Sequence, residues 1–215
     1  MLPPNIQNAL YFPMWMREQN QSLADMRDIT FNIQLSFRAM IRQLEWLTPT
    51  TRRKVLQKID AIRFEFGGPM WVLNETEVDR VFGHDRLQIT NETPMIEASE
   101  QFQVLLLQDA YQLLNTTPTE DSFFRFLWLK VSAAASNAAY APDFNQIVLP
   151  AANAVTGYYH PDYPEAMKYA SWGALVGHEI GHALSPKAME IVATHEGQNK
   201  HLVFHMGVGQ ISSNS

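Results

Sequence analysis

The chain has 215 residues, of which 46% are hydrophobic and 18% charged, and it contains no cysteine. This composition predicts a globular protein with one large domain or two small ones, and it excludes wholesale disorder, disulfides and cysteine-based zinc or nucleophilic sites. The formal net charge of −6 argues against a nucleic-acid partner. No apolar run approaches the roughly 18 residues of a membrane span, and the sequence shows no signal-peptide pattern.

Helices dominate the first part of the chain. Residues 1–20, which are interrupted by prolines, are expected to be irregular. Ser22 is typical of an N-cap, and apolar residues then recur every three or four positions as far as Leu47, which predicts a long amphipathic helix. Thr48-Pro49 predicts the start of a second helix that Gly67-Gly68-Pro69 ends, so that the two helices form a hairpin.

The rest of the chain adds a small β element and a final helix. A loop-rich stretch over 69–93 precedes a third predicted helix over 94–113. The apolar, β-strand-like residues 126–149 predict a hairpin or two strands with a tight connection. The last helix is expected over 164–184, because Pro186 disfavours helical geometry in the residue before it. The predicted fold class is therefore mainly α with a small β element.

The last predicted helix contains His178-Glu179-Ile180-Gly181-His182. Residues at i and i+4 share one face of a helix, so both imidazoles can bind one zinc ion while Glu179 serves as a general base. The surrounding helix residues are apolar. Since a buried helix does not carry unpaired charge without cost, metal ligation is favoured over chance occurrence of the pattern.

Three blocks of residues resemble the neprilysin and endothelin-converting-enzyme family of zinc metallopeptidases. They stand in the family's order and together cover roughly residues 22–184. The blocks are Leu44–Leu47 with Thr50–Ile62, Asn137–Tyr140 with Asn145–Ala151, and Tyr169–His182. The resemblance implies a gluzincin-like HExxH helix beside a substrate-binding edge strand, with zinc as cofactor and peptides as substrates.

The resemblance also implies roles for individual residues. Asn137 and Ala138 match the family's substrate-binding pair, in which main-chain hydrogen bonds hold an extended peptide. Without the resemblance, Asn137 would be interpreted as the cap of a turn. Ala139 departs from the aromatic residue that the family places there, so the packing at that point is expected to differ.

The sequence departs from the family after Leu184. The family continues with an acidic, glycine-containing loop and a later helix that supplies the third zinc ligand, whereas Ser185-Pro186-Lys187 follows here. We therefore expect a truncated peptidase whose chain alone cleaves peptides poorly. The chemically able groups downstream are not expected to complete the site; they are Glu190, His195, Glu196, His201 and His205.

The predicted organisation has three parts: a helical part of the family's N-terminal region over 1–125, the start of the zinc peptidase domain over 126–184, and a divergent, poorly ordered tail over 185–215. The expected function is zinc-dependent hydrolysis of internal bonds in small peptides. The alternative is a catalytically inactive fragment or splice form that binds peptides or a partner. The resemblance implies an extracellular or cell-surface parent protein. Four Asn-x-Ser/Thr sequences begin at Asn20, Asn74, Asn91 and Asn115. They can be interpreted equally well as glycosylation sites or as ordinary polar loop residues.

Overall fold

The computed structural model describes residues 4–83, 86–114, 127–128, 130–154 and 157–189. Over these residues the fold is mainly helical with one three-stranded sheet, as the sequence predicts. The helices are α1 (Pro4–Gln43), α2 (Pro49–Asp60), α3 (Glu75–Phe82), α4 (Met95–Leu114), α5 (Glu165–Lys168) and α6 (Ala174–Ala183), and the strands are β1 (Arg63–Gly67), β2 (Ala139–Ala141) and β3 (Gln146–Pro150).

The first helix begins much earlier than predicted. Residues 4–20 are helical rather than irregular, Ser22 lies inside α1 instead of capping it, and Pro13 is accommodated within the helix. A proline inside a helix costs about 3 kcal/mol or more because it removes a hydrogen bond and clashes with the preceding turn. The neighbouring Phe12 and Trp15 are buried and stack on each other, and this packing offsets the cost.

The sheet also departs from the prediction at two places. Helix α2 ends at Asp60 rather than near Gly67, because residues 63–67 form strand β1. The predicted hairpin is present, but its first strand begins at Ala139 instead of near residue 126, and residues 127–128 are helical. Strand β3 lies in the centre of the sheet and pairs antiparallel with β2, with Tyr140 opposite Ile147.

The described chain divides into two compact units. The first comprises the described residues within 1–20, 67–136 and 150–152. Here the close approach of Phe12 explains the two glycines at the end of β1 and directly after it. A Cβ on Gly68 would lie 2.6 Å from the Phe12 ring, and Gly67 adopts a positive φ of 78°. The buried Asn8 amide donates to the carbonyl oxygens of Trp128 and Val131 at 2.9 and 3.1 Å.

The second unit comprises the described residues within 21–66, 137–149 and 153–215, and it contains the HExxH helix. Its apolar core includes one cluster that joins the end of α1 to α2. The buried members of this cluster are Ile41, Leu47, Val55 and Ile59. Ile41 lies near the end of α1, Leu47 lies in the connection, and Val55 and Ile59 lie four residues apart on α2. The helical spacing of the apolar residues along α1 and α2 is why the sequence alone predicts the helical hairpin correctly.

The Thr48 side chain caps α2, as the sequence predicts. Its Oγ1 accepts a hydrogen bond from the Thr51 backbone N–H at 3.2 Å, and Pro49 occupies the first turn. We expect Thr48→Ala to lower the free energy of unfolding by about 1 kcal/mol, since the first turn loses an acceptor. Urea denaturation measures this loss. The matched control is Thr50→Ala at an exposed first-turn position, and an equal loss in both variants would contradict the capping role.

Candidate metal centre and cleft

Helix α6 is held in place by side chains that precede it in the chain. A π-helical turn over Tyr169–Gly173 leads into α6, and such turns are frequent at functional sites. The Trp172 indole N–H lies 3.1 Å from Thr30 Oγ1 and 3.2 Å from the Met26 carbonyl oxygen, both on α1. Lys168 pairs with Asp25 of the same helix at 2.7 Å. The start of the HExxH helix is thereby fixed to α1.

The structure brings the three residues of the HExxH motif together. The Nε2 atoms of His178 and His182 lie 3.0 Å apart, and their rings are perpendicular with centroids 4.5 Å apart. Both imidazoles are exposed, whereas Glu179 is buried, and one ligand atom from each of the three lies within 4.8 Å of the others. The two histidines therefore share one helix face, as the spacing predicts.

This donor set fits zinc. Imidazole nitrogens are common zinc ligands, and two nitrogens bound to one tetrahedral zinc at about 2.0–2.1 Å lie about 3.3 Å apart. The observed 3.0 Å between the Nε2 atoms is close to that spacing. The downstream candidates for a third ligand lie outside the described residues; they are Glu190, His195, Glu196, His201 and His205.

The Glu179 carboxylate is held by the edge strand. The backbone N–H of Tyr140, in β2, donates a hydrogen bond to it. Burial raises the pKa of the Glu179 carboxyl above its ordinary value, although the His182 and His178 charges and the Tyr140 N–H act in the opposite direction. A carboxylate with a raised pKa that is aimed at a histidine pair is suited to accept a proton.

A pocket of about 400 Å³ joins the helix to the strand. One wall comes from residues 137–140 and Pro142, and the other from α6 and the residues that follow it. Asn137 is exposed, and its side chain makes no hydrogen bond within the described part of the chain, so the turn-capping interpretation finds no support there. Ala138 is buried and Ala139 exposed. All five predicted site residues thus meet at one cleft: Asn137, Ala138, His178, Glu179 and His182.

Sequence reasoning missed two residues near this cleft. Tyr140 lies in the block Asn137–Tyr140 and Lys58 in the block Thr50–Ile62, but neither block predicts a role for these two side chains. A signal for Lys58 exists in the sequence. It lies three residues after Val55 on the apolar stripe of α2, where a charged residue is unexpected.

Two family models match the chain, and both describe peptidase family M13. One matches residues 9–69 and the other residues 137–202, so that together they cover more than half of the 215 residues. The second match continues beyond Leu184, where the motifs recognisable in the sequence end.

Curated relatives from animals are similar to the chain at low identity. The endothelin-converting enzyme homolog of Locusta migratoria is 28% identical over 158 residues, covering 74% of this chain and 20% of the relative. Endothelin-converting enzyme 1 of Rattus norvegicus is 27% identical over 182 residues, covering 83% of this chain and 22% of the relative. Neprilysin-1 of Caenorhabditis elegans is 28% identical over 156 residues, covering 72% and 20%. The chain spans about a fifth of the length of these relatives.

Solved structures share the fold. The zinc metalloprotease ZMP1 of Mycobacterium tuberculosis, in complex with an inhibitor, superimposes with a TM-score of 0.63 at 24% identity, covering 82% of this chain and 24% of that one. A Haemonchus galactose-containing glycoprotein complex gives a TM-score of 0.65 at 19% identity, covering 84% and 30%. The matched motifs, the cleft geometry and the two family models lead to one conclusion: this chain belongs to peptidase family M13.

Proposed function

We propose that this chain carries part of the active site of a zinc-dependent metalloendopeptidase that hydrolyses internal bonds of small peptides. The observation that carries the proposal is the meeting of the histidine pair, the buried Glu179 and an edge strand at one pocket. His178 and His182 are the residues that hold zinc. When bound, zinc would polarise the scissile carbonyl group and lower the pKa of the attacking water.

The chain's own residues supply the remaining chemistry. Glu179 takes a proton from the attacking water and passes it to the leaving amine, and the Tyr140 N–H keeps its carboxylate oriented. The edge of β2 offers main-chain groups to an extended peptide. Because the Tyr140 N–H already donates to Glu179, the peptide is held by Asn137 and Ala138, the two residues that directly precede β2.

The alternative is a module of the same family that binds peptides without cleaving them. The open pocket and the edge strand support binding in either case, whereas turnover needs a complete set of metal ligands. The deciding experiment loads the purified 215-residue chain with zinc and measures both the cleavage of a quenched fluorescent peptide and the affinity for a labelled one. Cleavage supports the peptidase, binding without cleavage supports the module, and the absence of both overturns both proposals.

Zinc binding can be tested separately. We expect His178→Ala to lower the zinc affinity by more than about 100-fold. Losing a group that only hydrogen-bonds to a metal ligand already costs about 10–100-fold, and His178 is itself a proposed ligand. Competition with a chromogenic chelator measures the affinity. The control is His160→Ala, which removes another exposed imidazole outside the pocket and should leave zinc binding unchanged. Equal affinities of the His178→Ala variant and the unmodified chain would contradict the assignment.

We also infer that the parent protein is extracellular or at the cell surface. The family resemblance supports this location, and two of the possible glycosylation sites, Asn74 and Asn91, are exposed on the surface. Across the part of the chain that the structure describes, no helix combines the length and apolarity that crossing a membrane requires.

A further inference from the structure

Lys58 is a buried cation beside the cleft that the peptidase chemistry leaves unexplained. Only 5% of its surface is exposed. Its Nζ donates to the Ala188 carbonyl oxygen at 3.3 Å and lies 5.7 Å from the centroid of the Tyr140 ring. It forms no ion pair within the described ranges of the chain. A buried ammonium group without a carboxylate is costly, so packing alone does not account for a lysine here.

Lys58 also contacts Tyr140 through Asn145. The Asn145 amide donates to the Lys58 carbonyl oxygen at 3.1 Å, and the Tyr140 hydroxyl lies 3.0 Å from Asn145 Oδ1. Asn145 holds a left-handed backbone conformation with a φ of 48°, which asparagine tolerates better than most residues. The Tyr140 ring is therefore fixed at its face by the Lys58 ammonium group and at its hydroxyl by Asn145.

The two contacts of the ammonium group fall on opposite walls of the pocket. Tyr140 belongs to the strand wall and Ala188 to the wall that follows α6, while Lys58 itself does not line the pocket. Tyr140 is also the residue whose N–H orients Glu179. We propose that Lys58 is a positioning residue. Its charged amine links the two walls of the pocket and keeps β2 in its position beside the HExxH helix. This inference rests on the proposed peptide-binding function of the cleft.

The charge on Lys58 is sensitive to pH in an accessible range. Burial lowers the pKa of its amine to about 8. The other titratable group in contact with it is the Tyr140 phenol, whose pKa is raised to about 12 by burial and the nearby Asp143. Of the Lys58 amine and the Tyr140 phenol, the amine therefore changes charge between about pH 7 and about pH 9, whereas the phenol stays neutral.

The first test compares Lys58→Met with Lys54→Met. Both remove one charge from α2, but Lys54 is exposed, one turn earlier. At neutral pH the zinc-loaded Lys58→Met chain should bind a short labelled peptide about tenfold more weakly than the unmodified chain, the scale of one hydrogen bond to a charged group. Lys54→Met should bind within about twofold. Unchanged affinity in Lys58→Met would overturn the proposal.

A second measurement separates positioning from folding stability. Because the pKa of folded Lys58 is below the ordinary 10.5, the unfolded chain binds more protons between about pH 8 and 10.5, and Lys58 makes stability rise with pH in this window. Peptide affinity should instead fall as pH rises through about 8. A merely structural lysine would not move the two quantities in opposite directions. Replacing a buried charge by an apolar group is often neutral or stabilising, so Lys58→Met is expected to fold.

Two further outcomes decide the remaining cases. If Lys58→Met fails to fold, the pH profile of Lys58→Arg decides: its permanent charge should keep peptide affinity level through about pH 8, and a profile equal to that of the unmodified chain overturns the proposal. If neither the unmodified chain nor any variant binds peptide, the proposed function is wrong. Hydrogen exchange of the amides of residues 139–141 then tests Lys58 alone, since faster exchange in Lys58→Met supports positioning and unchanged exchange refutes it.

Discussion

Replacing Glu179 by Gln is expected to lower the rate of peptide cleavage by about 10²–10⁴-fold in the zinc-loaded chain, the usual contribution of a general base. The amide has the shape of the carboxylate and can still accept the Tyr140 N–H, but it cannot take a proton from water. Initial rates on a quenched fluorescent peptide, with the chain in excess over the peptide, measure the effect.

Two accompanying measurements make this result specific. Zinc affinity should change by no more than a few-fold, because His178 and His182 are untouched, and thermal stability should not fall, because a buried charge is removed. Where the unmodified chain binds peptide without cleaving it, Glu179→Gln should leave peptide affinity within about twofold. Equal cleavage rates in the two chains would refute the role of Glu179.

Truncating Trp172 to Ala should cost about 3–5 kcal/mol of unfolding free energy, the range for buried large aromatic residues. Trp172 is only 1% exposed and packs edge-to-face on Tyr159, with the ring centroids 6.2 Å apart. Its indole N–H donates a hydrogen bond to Thr30 on α1. Its loss removes that packing and the tether before the HExxH helix. Chemical denaturation followed by circular dichroism measures the change.

Trp46→Ala is the matched control for the Trp172 variant. The Trp46 side chain is 77% exposed, and surface substitutions of this kind usually change stability by less than about 0.5 kcal/mol. A loss of less than about 1 kcal/mol in Trp172→Ala would show that the π-helical turn repacks easily and does not anchor α6.

The sequence alone determined the helical hairpin, helix α4, the small hairpin and the grouping of the HExxH residues on one helix. Each rests on a short-range rule. Apolar residues three or four apart predict one helix face, Thr48 with Pro49 predicts a helix start, and the i, i+4 spacing of His178 and His182 places both imidazoles together. Contacts over one or two turns of chain are enough to specify these features.

Tertiary structure decided the features that depend on partners distant in sequence. Helix α1 continues through Pro13 because the buried Phe12 and Trp15 stabilise it, and residues 63–67 become strand β1 because β3 is available beside them. The Tyr140 N–H on Glu179 likewise joins residues 39 positions apart.

Lys58 shows most clearly that contacts between distant segments cannot be predicted from local sequence patterns. Its position on the apolar stripe of α2 is visible in the sequence, but its contacts with Tyr140 and Ala188 join elements far along the chain. Local patterns carry no information about such pairings, because they form only when packing brings remote segments together and the gain in burial exceeds the loss of conformational entropy.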